Sequence, residues 1–558
     1  MSRRVRKQTS RSQKFPIIIV GTMLFLLACI SCWSVYQAAQ RDIRGENTVT
    51  LEIACSPEKQ ALFEELVKRF NTGRSRIPSG KRITIVATAV EPEAMIHAAL
   101  AGRFQALCPD SSIWLTQLDL DWQAQQQSSE VSIIGETTRF AVSPVVIAMW
   151  EDVAHALGYP DKAIGWADLL QAARTDPNFK WNHPSTSSAS GLLATLATFY
   201  AGANKTRGLT IEDVTAESTL AYVTALEKTV RYYGEGELAI IQQVVEKGRT
   251  YLDAFVVQEQ LLIQFNQKHK EKLVAIYPVE GAMWADHPLV FLERPETTAE
   301  QRLAYRSFRD FVLSSDIQAL VLAYGYRPTD LSIALDAPTS PIKAENGVDP
   351  TQPKTTLQIP GPLVIEVVRD VWQYTKRKTN IYLVADVSGS MQGEKLEQAK
   401  EAFLAFLDSM KGEQERVGLI EFSSDVYEVV PLAELAINRE VLQSTIARLS
   451  AGGDTSLLDA IYLAYEKLQQ RQDHERINAI VVMTDGKEND SQISLRDLTA
   501  RLRRGNESGL PVVVFCVAYG DDADMVTLER ISTVTGGQTR RGTPETIREL
   551  YKLLSTYF

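Results

Sequence analysis

The stretch LVADVSGSMQG, residues 383–393, sets one carboxylate and two hydroxyls at alternate positions, Asp386, Ser388 and Ser390, directly after an apolar run. Two further oxygen-bearing points lie downstream: Thr455 in the Gly-rich turn AGGDTSLLDA, and Asp485 in VVMTDGKEND. Two carboxylates and three hydroxyls, with no His or Cys, make the donor set of a hard cation. Mg²⁺ suits it best, and Mn²⁺ or Ca²⁺ are the alternatives. A coordination position left to water on such an ion can accept a carboxylate from outside. Read alone, Asp386 and its serines would only cap the next helix, which accounts for Ser390 but not for Thr455 or Asp485.

The elements that must position these groups alternate between strand and helix. NIYLVA (380–385), RVGLIEF (416–422), NAIVVMT (478–484) and PVVVFCVA (511–518) are continuous apolar runs of the kind covered on both faces. Between them, KLEQAKEAFLAFLDSM, SLLDAIYLAYEKLQQ and SLRDLTARLRRG carry apolar residues at helical spacing. The alternation predicts a parallel α/β sheet with helices on both faces, whose ligands sit at the carboxyl ends of the strands. All five oxygen donors fall on that edge, where Gly389, Gly452, Gly453 and Gly486 allow close approach of the loops. DVSGSM, GGDTS and TDG, in that order, resemble the metal-ion-dependent adhesion site of von Willebrand factor A domains, a Rossmann-like fold, over roughly residues 380–558. The resemblance implies that Ser388, Ser390 and Thr455 hold a metal directly or through water and that Asp386 and Asp485 often do so through water. It also implies that an Asp or Glu of a protein partner completes the shell.

The region from 48 to 335 is also mixed α/β. TVTLEIAC, KRITIVATAV and QALCPDSSIW read as strands, with the first lying between the other two; SPEKQALFEELVKRFN reads as a helix with Ser56 as N-cap and Pro57 at its first position. Cys55 and Cys108 then follow the ends of neighbouring strands, either as a disulfide or as two unpaired thiols. CSPEK, CPDSSIW, FAVSPVVIAMW, HPSTSSASGLLATLATFYAG, YPVEGAMWADHPLVFL and QALVLAYGYRP resemble the two-lobed (type II) bacterial extracellular solute-binding proteins. The resemblance implies that RFAVSPVVIAMW crosses between lobes, that EKLVAIYPVEG crosses back, and that an ABC-type permease is a natural partner. The cleft would be lined by Ser56, Ser111, Ser112, Ser187, Ser188 and Ser190, with Ser143 and Glu280 as further candidates. Helix starts favour anions, so the expected ligand is an oxyanion, a carbohydrate stacked on Trp114 or Trp284, or a peptide. Taken singly, each of these serines reads first as an ordinary N-cap. Glu280 and Asp286 either contact the ligand or hold the hinge.

At 558 residues the chain exceeds what one core serves. The segment DAPTSPIKAENGVDPTQPKTTLQIPGP carries six prolines and no sustained apolar period, so it reads as a linker. The expected division is 1–40, 48–335, a Pro-rich linker 336–375, and 376–558. A formal charge of −10 argues against a nucleic-acid partner. The basic cluster is N-terminal, from Arg3 to Lys14, and precedes the 22-residue run FPIIIVGTMLFLLACISCWSVY. That run is long enough to span a bilayer, and the preceding charges keep the N-terminus inside and the rest outside. It reads as an uncleaved single-pass membrane anchor, with a cleaved signal peptide or lipid attachment at Cys29 in LLAC as alternatives. Cys516 reads as a small core hydrophobe. No H-E-x-x-H, G-x-S-x-G or phosphate-loop pattern is present and there are six His, so the chain reads as a non-enzyme. The expectation is a membrane-anchored extracytoplasmic protein that captures a ligand in a cleft and docks a protein through a divalent-metal site. The alternatives are an adhesion or assembly factor without small-molecule binding, and a metal-dependent hydrolase or chelatase-type helper.

Overall fold

The computed structural model describes residues 48–555 apart from 129, 177, 232, 235, 521, 544 and 545. The basic segment, the apolar run 15–36 and Cys29 lie outside the described residues. Among the described residues no helix is long and apolar enough to cross a membrane.

Alternating buried positions in Thr48–Cys55 seat it in the middle of the first lobe's sheet. In spatial order the strands are Arg82–Ala89, Thr48–Cys55, Ala106–Cys108, Pro288–Leu292 and Ile134–Arg139. The first three are parallel, as the sequence pattern predicts; Pro288–Leu292 runs antiparallel to both its neighbours, so Ile134–Arg139 again follows the direction of the first three. The second lobe is built on Ala141–Trp150, nearly continuous in apolar residues and buried along most of its length. It pairs in turn with Arg327–Pro328, Trp284–Ala285, Leu273–Ile276 and Ala254–Gln258. The chain thus passes from lobe to lobe at Phe140 and returns between Ala285 and Pro288, where His287 takes a positive φ of 34°.

The C-terminal sheet has six strands in the order Val426–Glu434, Arg416–Phe422, Thr379–Asp386, Ile477–Thr484, Val512–Tyr519 and Thr539–Gly542. The three strands at its centre-right, Thr379–Asp386, Ile477–Thr484 and Val512–Tyr519, are buried at every residue, which is why their sequences run apolar without alternation. The edge strand Val426–Glu434, antiparallel and half exposed, has a mixed sequence and no clear strand pattern.

The Pro-rich segment differs from a free linker. Ile342, Val348 and Leu357 are buried, and the backbone is pinned by Ala275 N–H to the Gly347 carbonyl (2.7 Å) and Leu357 N–H to the Ala282 carbonyl (3.0 Å). Isolated apolar residues between prolines carry no period, yet each fills a niche on the second lobe. The segment ends in the helix Pro362–Thr375, with Pro at its first turn and Ile365, Val368 and Trp372 buried. The second lobe's core, Trp372 and one face of the C-terminal domain belong to a single continuous core. Arg377 bolts the two together: its guanidinium donates to the carbonyls of Val230 (2.8 Å), His474 (2.6 Å) and Glu475 (3.1 Å), while its N–H donates to Tyr233 Oη (2.9 Å).

Candidate functional site

Asp386 is the last residue of a fully buried strand, and its side chain is tied down at once. The N–H of Ser388 donates to Oδ1 (2.8 Å), and the Thr484 hydroxyl donates to Oδ2. The short turn Gly389–Met391 brings Ser388 Oγ and Ser390 Oγ to 3.0 Å. Ser390 in turn donates to Asp485 Oδ1 at 2.6 Å. Thr455 reaches the group from the next loop, held by its N–H on Asn489 Oδ1 (2.9 Å). A Cβ on Gly486 would lie 3.3 Å from Thr455 Oγ1 and 3.5 Å from Ser390 Oγ, so glycine there lets three loops meet. The Gly389 N–H to Gly453 carbonyl and Gly452 N–H to Val387 carbonyl bonds lock the first two loops.

All five sequence-predicted donors therefore converge at the carboxyl edge of the sheet. Asp386, Ser388, Thr455 and Asp485 are buried, whereas Ser390 is exposed, so the group opens to solvent on one side. Burial raises the Asp386 carboxyl above its usual range, and hydrogen bonds from Ser388 and Thr484 oppose that shift. The fully buried Asp485 carboxylate is paired with the Lys395 ammonium, from the first turn of the helix Glu394–Ser409. Sequence reading missed Lys395, because a lysine in an amphipathic helix looks like an ordinary solvated face. The donor set fits a hard divalent ion: two acids, three hydroxyls, no soft ligand. Such an ion would take over the charge balance that Lys395 supplies to Asp485.

The cleft candidates separate into several roles. Ser56 does not cap its helix; its hydroxyl accepts the Asp110 N–H (3.0 Å), and the N-cap position shows no side-chain bond. Ser111 accepts the Ile113 N–H, and Ser112 gives its N–H to Asp286, which also pairs with Arg139 at 3.0 Å. Asp286 thus holds the return crossing. Ser188 is a true N-cap, accepting the Gly191 N–H (3.1 Å), while the Ser187 N–H is bonded to Ser185 Oγ. Ser190 turns inward to Glu237 (2.6 Å), and Ser143 is fully buried between the lobes with no partner for its hydroxyl among the described residues. Glu280 departs from the cleft reading: its two oxygens accept the Trp166 and Ala167 N–H groups and cap the helix Trp166–Thr175.

Of the two states expected for Cys55 and Cys108, the structure has the unpaired one. Cys55 and Cys108 are directly paired residues of parallel strands, and both are free, buried thiols. Burial, with Cys108 adding to it, pushes the Cys55 thiol up to about 12. Cys516 is buried in the C-terminal sheet as expected.

Sequence reading stopped at the serines and passed over the acids beside them. Glu58 in CSPEK, Asp110 in CPDSSIW and Glu237 each place a carboxylate oxygen within 4.8 Å of the others. The adjacent polar phrases were the only signal, since the three residues lie on three separate segments from both lobes.

Two family models match the chain. Residues 380–552 match the von Willebrand factor type A domain, and residues 51–327 match the bacterial extracellular solute-binding protein family. The chain therefore joins a solute-binding domain to a von Willebrand factor type A domain, a pairing of extracytoplasmic binding and adhesion types. Among curated relatives, inter-alpha-trypsin inhibitor heavy chain H4 of Sus scrofa is 28% identical over 177 residues, 31% of this chain and 19% of the relative. Heavy chain H3 of Rattus norvegicus is 30% identical over 169 residues, 29% of this chain and 19% of the relative. The match thus spans about a fifth of the length of these relatives. Similar solved structures include the periplasmic binding protein P5PA (15% identity, TM-score 0.40, covering 58% of this chain and 99% of that one). The sulfate-binding protein SubI from Mycobacterium tuberculosis H37Rv is 18% identical, with a TM-score of 0.36 over 52% of this chain and 90% of that one. A von Willebrand factor type A protein from Catenulispora acidiphila is 21% identical, with a TM-score of 0.29 over 32% of this chain and 43% of that one.

Proposed function

We propose that this protein is a non-enzymatic extracytoplasmic binding protein that captures a ligand between its two lobes and docks a protein partner through a divalent-metal site. The observation that carries the reading is the convergence of Asp386, Ser388, Ser390, Thr455 and Asp485 on an edge with a solvent-exposed side, in a chain that also holds a two-lobed domain. A Mg²⁺ ion bound there would supply a Lewis-acidic position for a partner's Asp or Glu carboxylate. The chain's own residues orient the site: Thr484 and Ser388 fix Asp386, Asn489 fixes the Thr455 loop, and Lys395 balances Asp485.

A physical path between the two modules supports joint action. The helix Pro362–Thr375 touches both lobes. Arg369 lies over the Trp114 ring of the first lobe (5.1 Å) and bonds Gln117 (3.2 Å), while Trp372 packs edge-on against Tyr233 of the second (5.1 Å). A groove of about 450 Å³ lies between them, lined by Trp114, Ser185, Ser187, Arg369 and Trp372. From this helix the chain runs directly into the strand Thr379–Asp386, whose far end carries the first metal-type donor. Lobe movement would therefore pull on Arg369 and, through it, on the root of that strand.

The test is thermal melting and membrane pull-down of the full chain with and without EDTA. Mg²⁺ is expected to raise Tm, and a protein partner is expected in the Mg²⁺ pull-down alone. Identical melting and identical partners in EDTA would overturn the reading.

A further inference from the structure

We infer that Glu58, Asp110 and Glu237 form a site for one divalent cation in the cleft between the lobes, a reading that rests on capture in that cleft. Glu58 comes from the turn Pro57–Lys59 and Asp110 from the loop after Ala106–Cys108, both in the first lobe. Glu237 opens the helix Glu237–Lys247 of the second. The three are 9%, 2% and 1% exposed, and one oxygen of each lies within 4.8 Å of the others. A single ion with bonds of roughly 2.3–2.6 Å spans such a set.

Charge points the same way. The ammonium facing the group is that of Lys59, which donates to the Pro109 carbonyl beside Asp110. With all three carboxylates ionised, one ammonium leaves two negative charges in a buried space, and a dication balances them where a monovalent amine would leave one. An oxyanion would add to the excess, so the serines that line the cleft do not make it an anion site.

A second observation is independent of the acids. Gln260, fully buried, donates its amide to Gln258 Oε1 (3.0 Å), and Gln258 Nε2 donates to Glu237, yet Gln260 Oε1 has no partner among the described residues. Glu58 Oε2 and both ring nitrogens of the buried His287 are likewise unpartnered. His287 packs edge-on at 5.0 Å against Tyr326, whose hydroxyl donates to the Glu58 carbonyl (3.3 Å). Its backbone N–H is bonded to the Asp110 carbonyl (3.1 Å). Gln260 Oε1 and Glu58 Oε2 are therefore buried acceptors beside the three acids without a donor of their own, the condition a cation relieves.

Because the C-terminal domain carries its own metal-type site, the experiment counts ions. Mn²⁺ binding to the full chain, followed by equilibrium dialysis and electron paramagnetic resonance, should give two ions per chain. Glu237→Gln and Glu58→Gln should each leave one, Asp485→Ala should leave one, and the double variant Glu237→Gln/Asp485→Ala should leave none. Removing one of three crowded carboxylates should raise the ion-free Tm, so lost binding in the Gln variants is separable from misfolding. A wild-type count of one that Asp485→Ala takes to zero overturns the inference. If sulfate or spermidine then raises Tm in wild type but not in Glu237→Gln, capture in the cleft survives with another ligand. If Mn²⁺, sulfate and spermidine all leave the cleft variants and wild type alike, the capture reading falls as well.

Discussion

The chain holds two acid-bearing centres built on opposite plans. At the edge of the C-terminal sheet, two carboxylates are diluted by three hydroxyls and balanced by Lys395, and Ser390 faces solvent. In the cleft, three carboxylates meet behind closed lobes, with hydroxyls on their backs and several buried lone pairs unmatched. The first arrangement is tolerable without an ion, because its two acids are held apart by hydroxyls and one of them is paired with Lys395. The second stores repulsion that only a ligand or protons can remove. An open, balanced centre suits reversible docking of an outside group; a closed, unbalanced one suits capture.

The comparison can be broken most severely at Asp485. Asp485→Ala should remove the Mg²⁺-dependent rise in Tm of the C-terminal site, weakening Mg²⁺ by at least about 100-fold, while the cleft's response is unchanged. Titration calorimetry on the full chain would show it, and retained high-affinity Mg²⁺ binding would place the ion elsewhere. Next in size is the bolt between the two regions. Arg377→Ala strips donors from the carbonyls of Val230, His474 and Glu475 in a buried junction and should cost about 2–4 kcal/mol. Its chemical-denaturation curve should also split into two transitions; a single unshifted transition would mean the modules never supported each other.

A sharper contrast comes from neutralising one group in each centre. Lys395→Met leaves Asp485 buried beside no cation, so the ion-free Tm should fall and the gain on adding Mg²⁺ should grow. Glu58→Gln should act in the opposite sense, raising ion-free stability by about 1 kcal/mol. If both substitutions moved the ion-free melt in the same direction, the two plans would not differ as described. The smallest effect is expected from reductant: with Cys55 and Cys108 free, dithiothreitol should leave Tm unchanged, and a drop would indicate a disulfide.

How far the sequence reaches differs between the regions for one reason, the range over which the information is written. The C-terminal fold was legible because its buried parallel strands are apolar at every position, and because Asp386, Ser388 and Ser390 sit within five residues on a single turn. The half-exposed edge strand Val426–Glu434 was not legible, since its pattern is set by a neighbour on one side only. The Pro-rich stretch misled for a related reason: Ile342, Val348 and Leu357 are isolated in sequence and become a docking strip only against the second lobe. Strand order placed Cys55 beside Cys108 correctly but left open whether the thiols are joined, and the structure has them free.

By itself, then, the amino-acid sequence determined the class of both domains and the five oxygen donors of the C-terminal edge, where local periodicity and short spacing carry the physics. The tertiary structure alone decided that Lys395 balances Asp485, that Glu280 caps a helix, and that Glu58, Asp110 and Glu237 share one buried space. Those outcomes depend on which distant segments the lobes bring together, and a carboxylate's sequence neighbours do not report whether it will face water, a lysine or two other acids.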